Sequence, residues 1–335
     1  MRVLLGIAAG VGAVVGAAAG IGFVIALRLT APASGRVFDL VVRDVVVYGD
    51  AEAVVVDRTA RTEAPGLYNL WLEGAGWVRL DADAGLGAED VVIDTPVGRA
   101  PAWLIPGAGD ESDHWAIHIH GMGSPRAGTL RGVQVAAEAG LTSLVVTYRN
   151  DGEGPRVGSG RSTLGATETE DVCAALRFAL ARGARRITLF GWSMGGAIAL
   201  QLAADAEFDG VIDRLVLDSP VLNWQATINA NCRRARLPWW CGVFARPWLQ
   251  SRFFAPLLGL RSEIPLDQFN WITRVHELTV PTLILHPTED WSAPLAVSDL
   301  LAMRRPGLVR LETVRSDHTM SWNLEPERWR SLVAL

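Results

Sequence analysis

The chain contains no lysine: all 31 of its basic residues are arginine. Without a side-chain primary amine, Schiff-base catalysis and an internal pyridoxal aldimine are excluded. Those arginines form no continuous basic block, and the net charge is −5, so no stripe is on offer to phosphates and nucleic acid is not an expected partner. Histidine is also scarce, at six, and cysteine at three. His118 and His120 lie two apart on one strand face, a spacing that hints at a metal pair. No acid or cysteine cluster accompanies them, so a metal site is not expected. Small-molecule chemistry without a metal or organic cofactor is the better expectation.

Charge is absent again from Val3 to Leu27, 25 residues that as a helix would extend about 37 Å. That length crosses a bilayer core of about 30 Å. The competing reading is a cleavable signal peptide, with Ala31-Pro32-Ala33 as a loose cleavage site. The apolar run is longer than such peptides use, which favours a retained transmembrane anchor over residues 1–30. Gly12, Gly16 and Gly20 recur every fourth residue, either as a face for a second helix or as ordinary small-residue content. Arg2 lies on one side of the run and Arg28, Arg36 and Arg43 on the other, so the charges set no orientation. The very short tail points to its retention inside, with the rest of the chain extracytoplasmic.

With 335 residues, half of them hydrophobic, the chain suits one large α/β domain with additions, or two small domains. From residue 36 to 105, alternating runs at Val41–Tyr48, Ala53–Asp57, Leu67–Leu72, Trp77–Leu80 and Val91–Thr95 are punctuated by glycine-containing turns, which predicts antiparallel strands. Residues 31–90 are read as a β-rich extension, and Val91–Thr95 with Ala102–Ile105 as a hairpin opening a main sheet.

Beyond Trp115 the rhythm changes. Strands are expected at Ala116–His120, Leu141–Thr147, Ile187–Phe190, Arg214–Leu217, Pro281–His286 and Val309–Val314. Helices are expected at Arg131–Ala139, Glu168–Arg182 and from Met194. Such alternation builds a mostly parallel sheet with helices on both faces, and ligand chemistry at the carboxyl ends of its strands. Between about 221 and 278 the alternation stops, and Trp224, Trp239, Trp240, Phe253, Phe254 and Trp271 crowd among prolines. An inserted cap is the expectation, its aromatics either lining an apolar pocket or forming the cap's own core.

The stretch Gly191-Trp192-Ser193-Met194-Gly195 stands between a β-favouring run and a helical one. Glycines two before and two after the serine allow a turn too tight for side chains, and the first-turn N–H of Met194 would face a developing oxyanion. His120-Gly121-Met122-Gly123, at the end of an earlier strand, would bring the Met122 N–H beside it. A serine needs a base and an acid to orient that base. His318, in the polar loop after the last strand, is the best base, while His114, before a strand, is expected to be exposed. Asp290, beyond the strand ending near His286, is the best acid; Asp218 and Glu289 are the alternatives.

The order Ser193, Asp290, His318, with the His-Gly-Met-Gly loop upstream, resembles the α/β-hydrolase superfamily over residues 90 to 335. Tyr148-Arg149-Asn150-Asp151 and Trp322-Asn323 are similar to bacterial serine aminopeptidase and acyl-esterase branches. The resemblance implies an α/β-hydrolase fold over residues 91–335 and makes Ser193 nucleophile, Asp290 acid and His318 base. Esters, amides and acyl transfer all remain open, since one machinery serves all three. The first expectation is a membrane-tethered esterase for an apolar acyl or aryl substrate; a catalytically idle binding protein is the contrasting one. The residues name no protein partner. Cys232 and Cys241 would form a disulfide in an exported domain, or remain thiols in a cytosolic one.

Overall fold

The computed structural model describes residues 2–33, 40–48, 51–58, 66–73, 76–77, 88–108 and 113–334. A single helix, α1 (Arg2–Leu29), opens the chain, and its stretch Gly12–Leu29 is long and apolar enough to cross a membrane. Strands β1 (Leu40–Tyr48), β2 (Ala51–Arg58), β3 (Gly66–Glu73) and β4 (Gly76–Trp77) pair antiparallel in a four-stranded sheet. That is the pairing their alternation predicts. Residues 78–80, the remainder of one expected strand, lie outside the described residues.

The second sheet has eight strands, ordered from edge to edge as Val309–Val314, Thr282–Pro287, Ile212–Asp218, Arg186–Trp192, His114–Ile119, Thr142–Val145, Gly98–Ile105 and Glu89–Thr95. β5 (Glu89–Thr95) and β6 (Gly98–Ile105) form the expected hairpin, and β6 lies antiparallel to β8 (Thr142–Val145). All other pairings are parallel, joining β7 (His114–Ile119), β9 (Arg186–Trp192), β10 (Ile212–Asp218), β11 (Thr282–Pro287) and β12 (Val309–Val314). Their apolar character is nearly continuous because both faces are covered. Side-chain alternation along β9 shows why: Ile187 and Leu189 enter one core, while Phe190 and Trp192 enter the other.

On the Ile187 face lie α3 (Glu168–Ala181) and α4 (Met194–Ala203), contributing Val172, Leu176, Ile198 and Leu200. On the Trp192 face lie α2 (Leu130–Glu138) and α9 (Pro326–Val333), contributing Val135, Ala136 and Trp329. The sheet therefore sits between two helical layers. Short helices α7 (Leu295–Arg304) and α8 (Ser321–Leu324) follow β11 and β12.

Between β10 and β11 stand α5 (Trp224–Arg234) and α6 (Arg246–Gln250), separated and followed by short 3-10 turns. The expected division of its aromatics between a pocket lining and a core is incomplete. Trp224, Phe269 and Trp271 are buried, but Trp239 and Trp240 are each 50% exposed and Phe253 is 73% exposed. Cys232 and Cys241 are buried free thiols, so the alternative without a disulfide is the one present.

Candidate active site

Strand β9 ends at Trp192 and α4 begins at Met194, leaving Ser193 alone in the turn with φ 53°. That positive φ is costly for a residue with a Cβ and persists only where the surroundings enforce it. The glycines are explained by close approach. A Cβ on Gly195 would lie 2.0 Å from the Ile119 carbonyl oxygen, and one on Gly191 would lie 2.7 Å from the Gly195 carbonyl oxygen. The turn is thus wedged against the end of β7. It is also braced from β10: the Ser193 N–H donates to the Asp218 carbonyl, and the Val221 N–H donates to the Ser193 carbonyl, both at 3.0 Å.

The loop beyond β12 brings His318 to this turn. His318 Nε2 lies 2.9 Å from Ser193 Oγ, and Nδ1 lies 2.7 Å from Asp290 Oδ2. Asp290 hangs from the loop after β11 with its side chain fully buried. Its Oδ1 accepts the N–H groups of Ser292 at 2.7 Å and Ala293 at 2.8 Å, which fixes the carboxylate plane. The three residues that the sequence proposed are therefore brought together, though 125 and 28 residues separate the hydrogen-bonded pairs.

Burial pulls the two titrating groups against their charges. For His318 burial is the largest influence and lowers the pKa, but the Asp290 charge and hydrogen bond, aided by Asp218 and Asp317, leave it raised above the ordinary 6.5. For Asp290 burial would raise the pKa; the charge of His318 and hydrogen bonds from His286 and His318 instead hold it far below the usual carboxylate range. An ionised carboxylate on one imidazole nitrogen and a hydroxyl on the other allow proton transfer from the serine to the histidine.

The alternative acids have other partners. Glu289 pairs with Arg315 at the surface at 2.9 Å. Asp218 is buried, accepting Trp329 Nε1–H at 3.0 Å and the Ser219 hydroxyl at 2.9 Å. Ser219 Oγ in turn accepts the Thr319 N–H at 2.8 Å, while Arg131 donates to the Thr319 carbonyl at 3.0 Å. The residue next to the imidazole is therefore clamped from both sides. Sequence reading missed this clamp, because only the position of Ser219 just after a strand end signals it.

Gly121 packs against the serine turn so closely that a Cβ there would lie 3.2 Å from the Ser193 Cβ. The following residues, Met122 and Gly123, line a small cleft together with Met194, Tyr148, Ala31 and Ala33. Ser193 and His318 are not among its lining residues. The Tyr148 hydroxyl secures the loop by donating to the His120 carbonyl at 3.0 Å. His120 Nε2 lies 3.0 Å from Asp151 Oδ2, and His118 Nε2 lies 3.1 Å from Ser143 Oγ. Both histidines thus have neighbours within the protein, and burial pushes His118 down to about 3. His114 is a correction: it is buried, with Nε2 3.0 Å from Thr188 Oγ1 and 3.5 Å from Asp213. It begins β7 rather than preceding it, so the neighbouring strand covers it.

A sequence model of the alpha/beta hydrolase family matches residues 104–332. No protein of curated function matches the chain by sequence. Among solved structures, an esterase from Pyrococcus furiosus is similar at 20% identity and a TM-score of 0.59, over 79% of this chain and 97% of that one. A hydrolase from Pseudomonas aeruginosa is similar at 18% identity and 0.51, over 73% and 97%. A serine hydrolase without a lid from Xanthomonas campestris is similar at 14% and 0.50, over 73% and 91%. Likenesses at these identities speak for the fold.

Proposed function

From the premise that this chain belongs to the alpha/beta hydrolase family, we propose that it is a membrane-tethered serine hydrolase that cleaves a carboxylic ester of an apolar acyl or aryl substrate. The observation that carries the proposal is the chain of contacts from Ser193 Oγ through His318 to Asp290, at 2.9 and 2.7 Å, on a serine held at φ 53°. His318 takes the Ser193 proton as Oγ attacks the ester carbonyl, and Asp290 holds the imidazolium that forms. The N–H groups of Met194 and Met122 receive the oxyanion. Collapse expels the alcohol, which takes the proton from His318 and leaves an acyl-Ser193. Water, deprotonated by the same histidine, then attacks the acyl carbonyl and releases the acid, returning the serine. No step calls for a metal or organic cofactor.

Helix α1 serves as the tether over residues 1–30 for the domain over 91–335, with residues 221–278 as its cap. The apolar run of α1 and the aromatic content of the cap support an apolar substrate near lipid. The full chain in detergent, offered p-nitrophenyl esters of increasing acyl length, tests the reading. Turnover that varies with chain length and falls at least about 10⁴-fold in Ser193→Ala is expected. Background turnover in both folded proteins would overturn it. Matched amides and added acceptor alcohols then separate peptidase and transferase chemistry from ester hydrolysis.

A further inference from the structure

Helix α1 does not stand apart from the catalytic domain. One stripe of it, through Ala19, Gly22, Phe23, Ala26 and Thr30, has the spacing of a single helical face. Trp248 Nε1–H donates to the Ala19 carbonyl at 3.0 Å, and the Phe23 and Trp248 rings meet at 4.9 Å. A Cβ on Gly22 would lie 2.0 Å from the Phe244 carbonyl oxygen. Arg161 donates to the Leu27 carbonyl at 2.8 Å, and the Ser162 N–H donates to the Thr30 carbonyl at 3.2 Å. By contrast Gly12, Gly16 and Gly20 have nothing within 4 Å where a Cβ would stand, and Val14 and Val15 are 70% and 61% exposed.

Beside the helix, the domain exposes a second set of large apolar side chains: Trp239, Trp240, Val243, Phe253, Phe254 and Leu257. Soluble surfaces seldom gather so many in a short segment. Two of them lie one contact away from the helix stripe. Trp240 meets Phe244 edge-on at 5.8 Å, and Phe254 meets Trp248 at 5.2 Å. Arginines accompany the set: Arg252 lies 4.9 Å from the Phe253 ring centre and Arg233 lies 6.0 Å from that of Trp239. Guanidinium groups beside tryptophan and phenylalanine suit the level at which lipid phosphates meet acyl chains.

Helix length places that level. At about 1.5 Å per residue α1 is about 42 Å long, while a hydrocarbon core of about 30 Å takes about 20 residues. If its apolar run begins to cross near residue 3, the last two turns stand in the headgroup layer. Those turns touch Trp248 through Phe23 and Arg161 through Leu27, with the approach of Gly22 to Phe244 at their start and the Thr30 bond to Ser162 just past their end.

We propose that residues 237–257 form a second bilayer contact, with their exposed tryptophans and phenylalanines seated in the headgroup layer around the point where α1 leaves the hydrocarbon core. The contact rests on the tethering part of the function proposed above, and it is independent of the chemistry at Ser193. Phospholipid is the occupant because the surface continues the apolar face of the helix itself and carries cations matched to lipid phosphate.

The full chain, reconstituted in phosphatidylcholine–phosphatidylglycerol vesicles, tests the contact. Bimane is attached to Phe253→Cys or Leu257→Cys, and to Met303→Cys as the reference, since Met303 is 77% exposed on α7. Lipids carrying a nitroxide near the headgroup are expected to quench the labels at 253 and 257 about threefold more strongly than the label at 303. Vesicle flotation and ester turnover are measured on the same samples. If the chain floats but the labels at 253 and 257 are quenched by aqueous iodide and not by lipid, the contact is overturned and the tether stands. Labels shielded from both quenchers would mean a second protein chain covers the surface, which also overturns it. A chain that does not float overturns the tether and the contact together. Loss of turnover alone bears only on the catalytic reading.

Discussion

Ser219 Oγ accepts the backbone N–H of Thr319 at 2.8 Å, tying the end of β10 to the residue that follows His318. Strand β10 and the turn just after it also brace Ser193, through the Asp218 carbonyl and the Val221 N–H. One strand end thus sets the positions of both hydrogen-bonded side chains. Ser219→Ala removes the acceptor for Thr319 and the donor to the buried Asp218 carboxylate. Unsatisfied buried groups cost about 1–3 kcal/mol. The expected outcome is a loss of stability of that order in urea titration, with kcat reduced about tenfold and KM little changed, as befits a positioning residue. An equal change in both kinetic constants would place Ser219 at the substrate instead.

The pH dependence of turnover should report His318. The mechanism needs the neutral imidazole, so kcat/KM falls as pH drops through its pKa in the free enzyme. Because Asp290 and its neighbours raise that pKa, the acid limb is expected to be centred above 6.5. Asp290→Asn removes the charge that raises it. The limb should then move to lower pH while kcat falls about 10⁴-fold. A limb that stays in place would show that another group controls it.

Gly195→Ala tests the packing of the serine turn. Its new Cβ would face the carbonyl oxygens of Ile119 at 2.0 Å and His120 at 2.8 Å, both backbone atoms that cannot swing away. A destabilisation of about 3 kcal/mol or more is expected, at the upper end of what overpacking costs. Thermal unfolding measures it. An unchanged melting temperature would mean that the two strand ends are less tightly joined than described.

Arg149 makes the same argument with charge. Its guanidinium donates to both oxygens of Asp171, at 2.7 and 2.8 Å, and the Asp171 side chain is fully buried. Arg149→Met leaves that carboxylate with only the Arg149 backbone N–H from this residue. Breaking a buried pair costs about 3–5 kcal/mol, which urea denaturation would detect.

Much of this site was legible because its signals are local. Glycines two residues either side of Ser193 announce a tight turn whatever packs around it, and each of Asp290 and His318 follows an apolar run readable as a strand. A parallel sheet collects such loops at one edge, so spacing in the chain becomes proximity in space. The Trp329 bond to Asp218 and the Ser219 bond to Thr319 join residues 111 and 100 positions apart, and no local pattern encodes them. His114 was misjudged for a related reason. The residues just before it, Glu111-Ser112-Asp113, are polar, but Thr188 and Asp213, on two other strands, enclose it. The aromatic segment between β10 and β11 was conspicuous by composition. Which of its rings face outward depends on its own fold and on α1 packing beside it, neither of which has a period to read.

The bonds from Arg161 to the Leu27 carbonyl and from Ser162 to the Thr30 carbonyl, at the end of α1 and just past it, make the helix an axle rather than a leash. A domain hung on a flexible linker of n residues wanders over about 5–6 Å × √n and turns freely. Here the helix axis and the mouth of the serine turn keep a fixed angle, so the site has an orientation as well as an address. An encounter with substrate then becomes a question of approach direction relative to the helix.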